Sequence, residues 1–238
     1  MTTPLLGQST IGPDGWKLAE HYALHVQRPK LTYAINYLGY PSEDGAIAIW
    51  AEQARRYWTL GEACGIRPEV LWLQMSKETN SGRFCAAPGS LGGVDYPHGR
   101  PGVVHAGMHN PAGIKKKDTA NQPFPDGWPL PGQAKNSDYN PNAHETFANW
   151  DAGIRAHFNH HLAAIYGKEA HLHYIGTPHA RTALVETVVY AGTRRTVEDL
   201  NGKWAPSPTY GDDLVRLFLD PFLKWCADLF AWVEATSK

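Results

Sequence analysis

The chain has 238 residues, 42% of them hydrophobic and 19% charged, enough apolar material for one sizeable core or two modest ones in a soluble globular protein. Its formal net charge of -1 gives no basic footprint for nucleic acid, and no run approaches the ~18 apolar residues of a membrane span. Cys64, Cys85 and Cys226 have no metal-ligand spacing and leave an odd thiol in any pairing, which fits synthesis in a reducing compartment.

The first residues, MTTPLLGQSTIGPDG, have neither a basic start nor a long apolar stretch, so no secretory signal is read there. WKLAEHYALHV suggests a short helix before Pro29, and LTYAINYLGY is apolar and aromatic. Residues 1–40 are therefore expected to form an N-terminal arm packed on a main body of residues 41–238. Ser42, Glu43 and Asp44 are start signals for a helix reaching about Cys64, with Ile47, Ala51, Ala54 and Trp58 at helical spacing and Gly65 as a stop.

Pro68 suits a first helical position, because its missing N–H would be unpaired there, and Asn80, Ser81 and Gly82 are stop signals. The spacing predicts a helix from Pro68 to Thr79 that pairs antiparallel with the one before it. Leu71, Met75 and Glu78 fall at i, i+4 and i+7, so a carboxyl group continues an apolar line. Partial burial and the negative end of the helix dipole should both raise the pKa of Glu78. A carboxylic acid that keeps its proton near neutral pH is what a glycosidase needs to protonate a leaving oxygen.

Between Ala86 and Pro141 lie nine of the eighteen prolines and nine glycines, so no long helix survives there. An insert this long is expected to be functional or to hold short strands, and it could wall a cleft opposite Glu78. Tyr96, Phe124, Trp128 and Tyr139 are its candidate apolar anchors. Helical order resumes near Asn149, with Asp151 as the expected cap of a helix through Tyr166. Thr182 to Tyr190 fits strand or helix, and TVED, at Thr196 to Asp199, resembles a capping box. Leu214, Leu217, Phe218, Phe222, Trp225, Cys226, Leu229 and Val233 keep to one face, which predicts a long core-packing helix with a kink at Pro221.

Several separated pieces together resemble a known family. GIRPEVLWLQMSKET, HNPAGIK (His109 to Lys115), FANWDAGIRAHFNHHLAAIYG (Phe147 to Gly167) and VEDLNGKWAPSPTYGDDL (Val197 to Leu214) occur in the order seen in peptidoglycan hydrolases of the glucosaminidase type, glycoside hydrolase family 73 in the lysozyme-like superfamily. The resemblance covers most of the chain from Ile66 to Leu219. It implies an α+β, mainly helical, lysozyme-like two-lobed fold, with Glu78 as general acid and Tyr210 lining the cleft. It also implies cleavage of a β-1,4 bond next to N-acetylglucosamine or N-acetylmuramic acid. Asn110, Gly113, Ile114, Trp204 and Thr79 become candidate substrate-binding residues. No cofactor or metal is implied; the partners are peptidoglycan glycan strands, and a monomer is expected. The protein would be made in the cytoplasm and act on the cell wall, as an endolysin-like, virion-associated or non-classically exported enzyme.

The second carboxylate that inversion or direct attack requires, about 6.5–9.5 Å or about 5–5.5 Å from the acid respectively, is not singled out among Asp95, Asp118, Asp126, Asp138 and Glu145. Glu145 is the candidate by position, just ahead of the Phe147 segment. The same acid could instead serve a lytic transglycosylase, in which the sugar's own hydroxyl attacks. The twelve histidines raise a zinc-dependent amidase as a rival, although HExxH is absent and His157 and His161 share the apolar face of Phe158 and Leu162. A non-catalytic glycan-binding protein on the same scaffold is the third alternative.

Overall fold

The computed structural model describes residues 2–26, 43–86, 89–91, 93–96, 100–119, 121–187 and 191–237. It is mainly helical: α1 (Gly15–His21), α2 (Glu43–Cys64), α3 (Pro68–Thr79), α4 (Trp150–Tyr166), α5 (Thr182–Val185), α6 (Tyr210–Leu214) and α7 (Asp220–Thr236). Among the described residues the sheet content is two antiparallel pairs, β1 (Cys85–Ala86) with β4 (Arg100–Pro101) and β2 (Gly89–Leu91) with β3 (Val94–Tyr96). Among the described residues no helix is long and apolar enough to cross a membrane.

The centre of the molecule is α3, ten of whose twelve residues are buried. Such a helix cannot be amphipathic in the ordinary sense; it needs partners on every side. Its closest bond is to α2, where Trp50 and Trp72 stack at 4.4 Å between ring centroids and 11° between planes. Each indole N–H donates to the other's backbone carbonyl, at 3.3 and 3.1 Å. Stacking of this kind adds about 0.5–1.5 kcal/mol beyond area burial. The predicted antiparallel arrangement is seen in two contacts at opposite ends. A Cβ on Gly61 would lie 2.8 Å from that of Pro68, and one on Gly82 would lie 2.1 Å from the carbonyl oxygen of Ala46. Both positions need glycine for the helices to close.

The N-terminal stretch is more than an arm resting on the surface. Leu5 is fully buried in the same core as Trp58 and Ile66, and its backbone bonds to Arg195 and Arg67. Residues 27–40 and the start signal Ser42 lie outside the described residues. The carboxylate of Glu69, in the first turn of α3, accepts from the Thr10 N–H at 3.0 Å and pairs with Arg67 at 2.9 Å. That fastens the first segment to the positive end of the helix.

Three local expectations change. Asn149, not Asp151, caps α4: its side chain accepts from the Ala152 N–H at 3.0 Å, while Asp151 pairs with Arg155. In the insert, Phe124, Trp128 and Tyr139 are only half-buried, and the Tyr96 side chain lies outside the described residues. The buried positions there include Met108, Asn110, Pro111, Ala112, Ile114 and Asn140, with Ala143 and His144 just beyond its end. The long final helix packs on the core only over its first half. Phe222 and Cys226 are buried, whereas Phe230, Trp232 and Val233 face outward. The TVED turn does form its box, with Asp199 Oδ2 accepting from Thr196 N at 2.8 Å and Asp199 N donating to Thr196 Oγ1 at 3.3 Å. Thr182 to Tyr190 begins as the short helix α5; residues 188–190 lie outside the described residues.

Candidate active site

The end of α3 brings Glu78 to a groove. Asn80 closes the helix in the left-handed conformation, φ 51°, and Ser81, Gly82 and Phe84 are also left-handed, at φ 54°, 81° and 56°. Left-handed backbone at Ser81 and at the bulky Phe84 costs energy that the surroundings must supply. It is held by Ser81 N donating to Ser76 O and Phe84 N to Thr79 O, each at 2.7 Å. Thr79 is part of this closure: its hydroxyl donates to Met75 O at 2.7 Å and accepts from Gly82 N at 2.9 Å. The chain therefore folds back beside Glu78 instead of continuing through the groove.

Two hollows of about 330 and 500 Å³ meet here and share Glu78, Gly113 and His144 as walls. The Pro/Gly-rich insert supplies Gly102 to Val104 on one side and Ala112 to Lys115 on the other. A larger hollow, about 580 Å³, opens between α1, α2 and α4 and shares no wall with these. Its acids are Glu20, Glu52 and Asp151, the last paired with Arg155 at 2.7 Å.

Glu78 is gripped at one oxygen. The Tyr210 hydroxyl and the Trp204 indole N–H, the latter at 3.0 Å, both donate to Oε1. Oε2 receives no hydrogen bond from the described residues, and a Cβ on Gly113 would lie 3.9 Å from it. The side chain is exposed, because it borders both hollows, yet protein packed around it desolvates the carboxylate and raises its pKa. The bonds from Tyr210 and Trp204 and the charge of Lys77 pull in the opposite direction. Water entering the hollows limits the net shift to a bias toward the acid form. With two donors on Oε1, the acid's proton belongs on Oε2, the oxygen that faces the groove.

Behind Tyr210 stands a buried polar chain. Gln74, one helical turn before Glu78, donates from Nε2 to the Tyr210 hydroxyl at 3.3 Å. Its Oε1 accepts from His161 Nε2 at 2.8 Å and from His157 Nε2 at 3.1 Å. His157 Nδ1 in turn accepts from the Tyr57 hydroxyl at 2.9 Å. All four side chains are buried, and burial holds His157 down to about 3 and His161 well below the ordinary histidine range. Both imidazoles are neutral, so each has one N–H to give, and the donors run in one direction toward Oε1. Burial and the nearby Glu78 charge raise the Tyr210 phenol well above its ordinary range, which keeps it a donor.

Trp204 also stacks on His161 at 4.6 Å and 12°. One face of the indole is therefore packing, while its N–H serves the acid. Tyr210 opens α6, whose first amides are capped by Asn201: Oδ1 accepts from Gly211 N at 2.6 Å and from Asp212 N at 3.3 Å.

Asn110 acts on backbone. Fully buried, it donates to Ile114 O at 2.8 Å and Glu145 O at 3.0 Å and accepts from Ile114 N at 2.9 Å. That closes the turn in which Gly113 takes φ 61°, a conformation suited to glycine. The Ile114 side chain is buried in a small cluster with Ala112, Phe147 and Ala156. The Glu145 carboxylate is bonded to His179 Nε2 at 2.9 Å and lines neither hollow. Asp118 is bonded to Asn121 and Asp138 to Lys115, and neither they nor Asp126 line the hollows; the Asp95 side chain lies outside the described residues. Among the described residues, Glu78 is the one carboxylate of this groove.

His144 was not anticipated. It is buried at the junction of the hollows and donates from Nδ1 to Asn140 O at 2.9 Å, which leaves Nε2 as an acceptor, and burial lowers its pKa. Gln74 was equally unforeseen, although a glutamine four residues before Glu78 on a helix must share its side. Among the described residues no cluster of His, Cys, Asp or Glu has a metal-holding arrangement. Comparison with protein-family models, curated proteins and solved structures finds no match for this chain.

Proposed function

We propose that the protein is a glycoside hydrolase of the bacterial cell wall, cleaving a β-1,4 bond next to an N-acetylhexosamine in peptidoglycan, on a lysozyme-like two-lobed arrangement. The observation that supports this most is the asymmetric hold on Glu78. Two donors fix Oε1, desolvation by the protein packed around the carboxylate raises its pKa, and Oε2 faces a groove that continues on both sides. A glycosidic oxygen placed opposite Oε2 receives the proton as the bond to the anomeric carbon breaks. The resulting carboxylate is then stabilised by the same Tyr210 and Trp204 donors. General acid catalysis of this type contributes about 10²–10⁴-fold.

A second reading, intramolecular attack by a hydroxyl or acetamido group of the sugar itself, is favoured by one observation. Glu78 has no carboxylate partner among the described residues of the groove, whereas attack by an enzyme-activated water calls for one. In that chemistry the Glu78 carboxylate formed in the first step takes back a proton in the second. Mass spectrometry of peptidoglycan digested by the protein tests both readings. Glycan fragments with a new reducing end are expected for hydrolysis, whether water attacks directly or opens the oxazolinium ring made by the acetamido group, and anhydro ends where the sugar's own hydroxyl attacks; release of peptides with intact glycan strands would overturn the assignment to glycan cleavage.

A further inference from the structure

We propose that the hollow on the Trp204 side of Glu78 is a subsite in which Arg181 and Lys203 receive a carboxylate carried by the sugar. The inference rests on the glycosidase reading and assigns the residues of that same groove that recognise an anionic substituent. The hollow's walls carry Lys115, Arg181, Arg194 and Lys203, against Glu78 as the one acid. Lys115 is already paired with Asp138, outside the hollow. Arg194 is buried, donating from Nη2 to Lys203 O at 3.1 Å. Arg181 and Lys203 are half-buried, and their charged ends make no hydrogen bond or ion pair with the described residues. Cations drawn into a concave wall lose hydration, and an arriving anion restores what they lost.

The charge is gathered at one end. Desolvation first, and then Arg194, Arg181 and His179, hold His160 down to about 3, so that imidazole adds no charge of its own. The cation whose charge bears on Glu78 is Lys77, on the other side of the acid. Between the two ends stands Trp204, its N–H on Glu78 and its ring edge-on to His160 at 5.8 Å. An anion bound beyond the indole is thus kept off the acid and does not compete for its proton. A substituent on the sugar ring fits this placement better than the scissile bond does. The lactyl ether of muramic acid, or the peptide attached to it, supplies such a carboxylate; chitin supplies none.

Equilibrium binding to the Glu78→Gln protein, which is not expected to turn substrate over, tests the subsite. The probes are peptide-free glycan strands bearing the lactyl carboxylate, the same strands with peptides attached, and chitooligosaccharides of equal length. At least one carboxylated strand should bind about tenfold or more tighter than the neutral glycan, with an advantage that shrinks as salt rises. Which strand does so identifies the source of the carboxylate. Arg181→Gln combined with Lys203→Gln should remove the advantage. Equal affinity for all three glycans, no measurable binding of either carboxylated strand, or an advantage that survives in the double variant would each overturn the proposal. Because binding is read without catalysis, an inactive parent would count against the glycosidase reading alone.

Discussion

The groove has two walls built on opposite principles. On the helical side, Gln74, Glu78, His157, His161, Trp204 and Tyr210 come from distant parts of the chain and meet through side-chain hydrogen bonds and ring packing, most of it buried. On the insert side the wall is backbone, shaped by one asparagine that ties Ile114 and Glu145 and by a glycine with room for Oε2 to face it. In the proposed function the helical wall would direct a proton, and the insert wall would shape the space that receives it. Substitutions on the first should change chemistry and acid stability; substitutions on the second should change fit.

The largest effect is expected at Glu78. Glu78→Gln keeps the shape and both donors but cannot give up a comparable proton, so glycan cleavage should fall by about 10²–10⁴ with the unfolding midpoint no lower than in the parent. Removing the buried support comes next. Gln74→Leu leaves His157, His161 and Tyr210 each short of a partner, at about 1–3 kcal/mol per buried group left unpaired, readable in urea unfolding. Its rate should fall as well, because Tyr210 is no longer steered to Oε1. A matching cut on the insert wall, Asn110→Ala, should cost about 1–3 kcal/mol by the same rule, but raise KM more than it lowers kcat.

Acid should weigh more on the helical wall, with its three deeply lowered histidines, than on the insert side, where the pKa of His144 is also lowered. The folded pKa values of His157, His160 and His161 lie below the unfolded value of about 6.5. Their contribution to stability is therefore complete above that value, and it is lost progressively as pH falls toward about 3, because the unfolded chain takes up the protons first. Urea midpoints between pH 7 and pH 4 should drop, and the drop should be smaller in His160→Gln. The smallest effect belongs to Gly113→Ala. At φ 61° an alanine costs about 1–2 kcal/mol of backbone strain, and its Cβ, 3.9 Å from Oε2, should narrow the approach to the acid and raise KM.

Local order was legible in the sequence wherever one physical signal acted alone. Pro68 and Asn80 bracket α3 as expected, since a missing N–H and a left-handed cap depend on neighbours only. Glu78, singled out by helical spacing, and Tyr210, named from a resemblance between short segments, do meet at a hydrogen bond. What sequence could not supply was partnership across distance. His157 and His161 read as apolar-face histidines, and only the fold shows that Gln74 binds both. Glu145 stood out by position, yet its carboxylate turns to His179. The final helix misled for a related reason: an apolar stripe says that a face is sticky, not how far its neighbours extend. Beyond Cys226 the core ends: the stripe continues with Leu229 half-buried and Val233 in the open.

The claim beneath both walls is that the carboxyl of Glu78 keeps its proton more tightly than an ordinary glutamate and presents it on Oε2. Carbon-detected NMR titration of the labelled side-chain carboxyl measures this without reference to any substrate. A midpoint above the usual glutamate range is expected, moving higher still in Tyr210→Phe, where a donor to Oε1 is lost. A midpoint at or below that of a free glutamate would contradict the account, whatever the protein is found to act on.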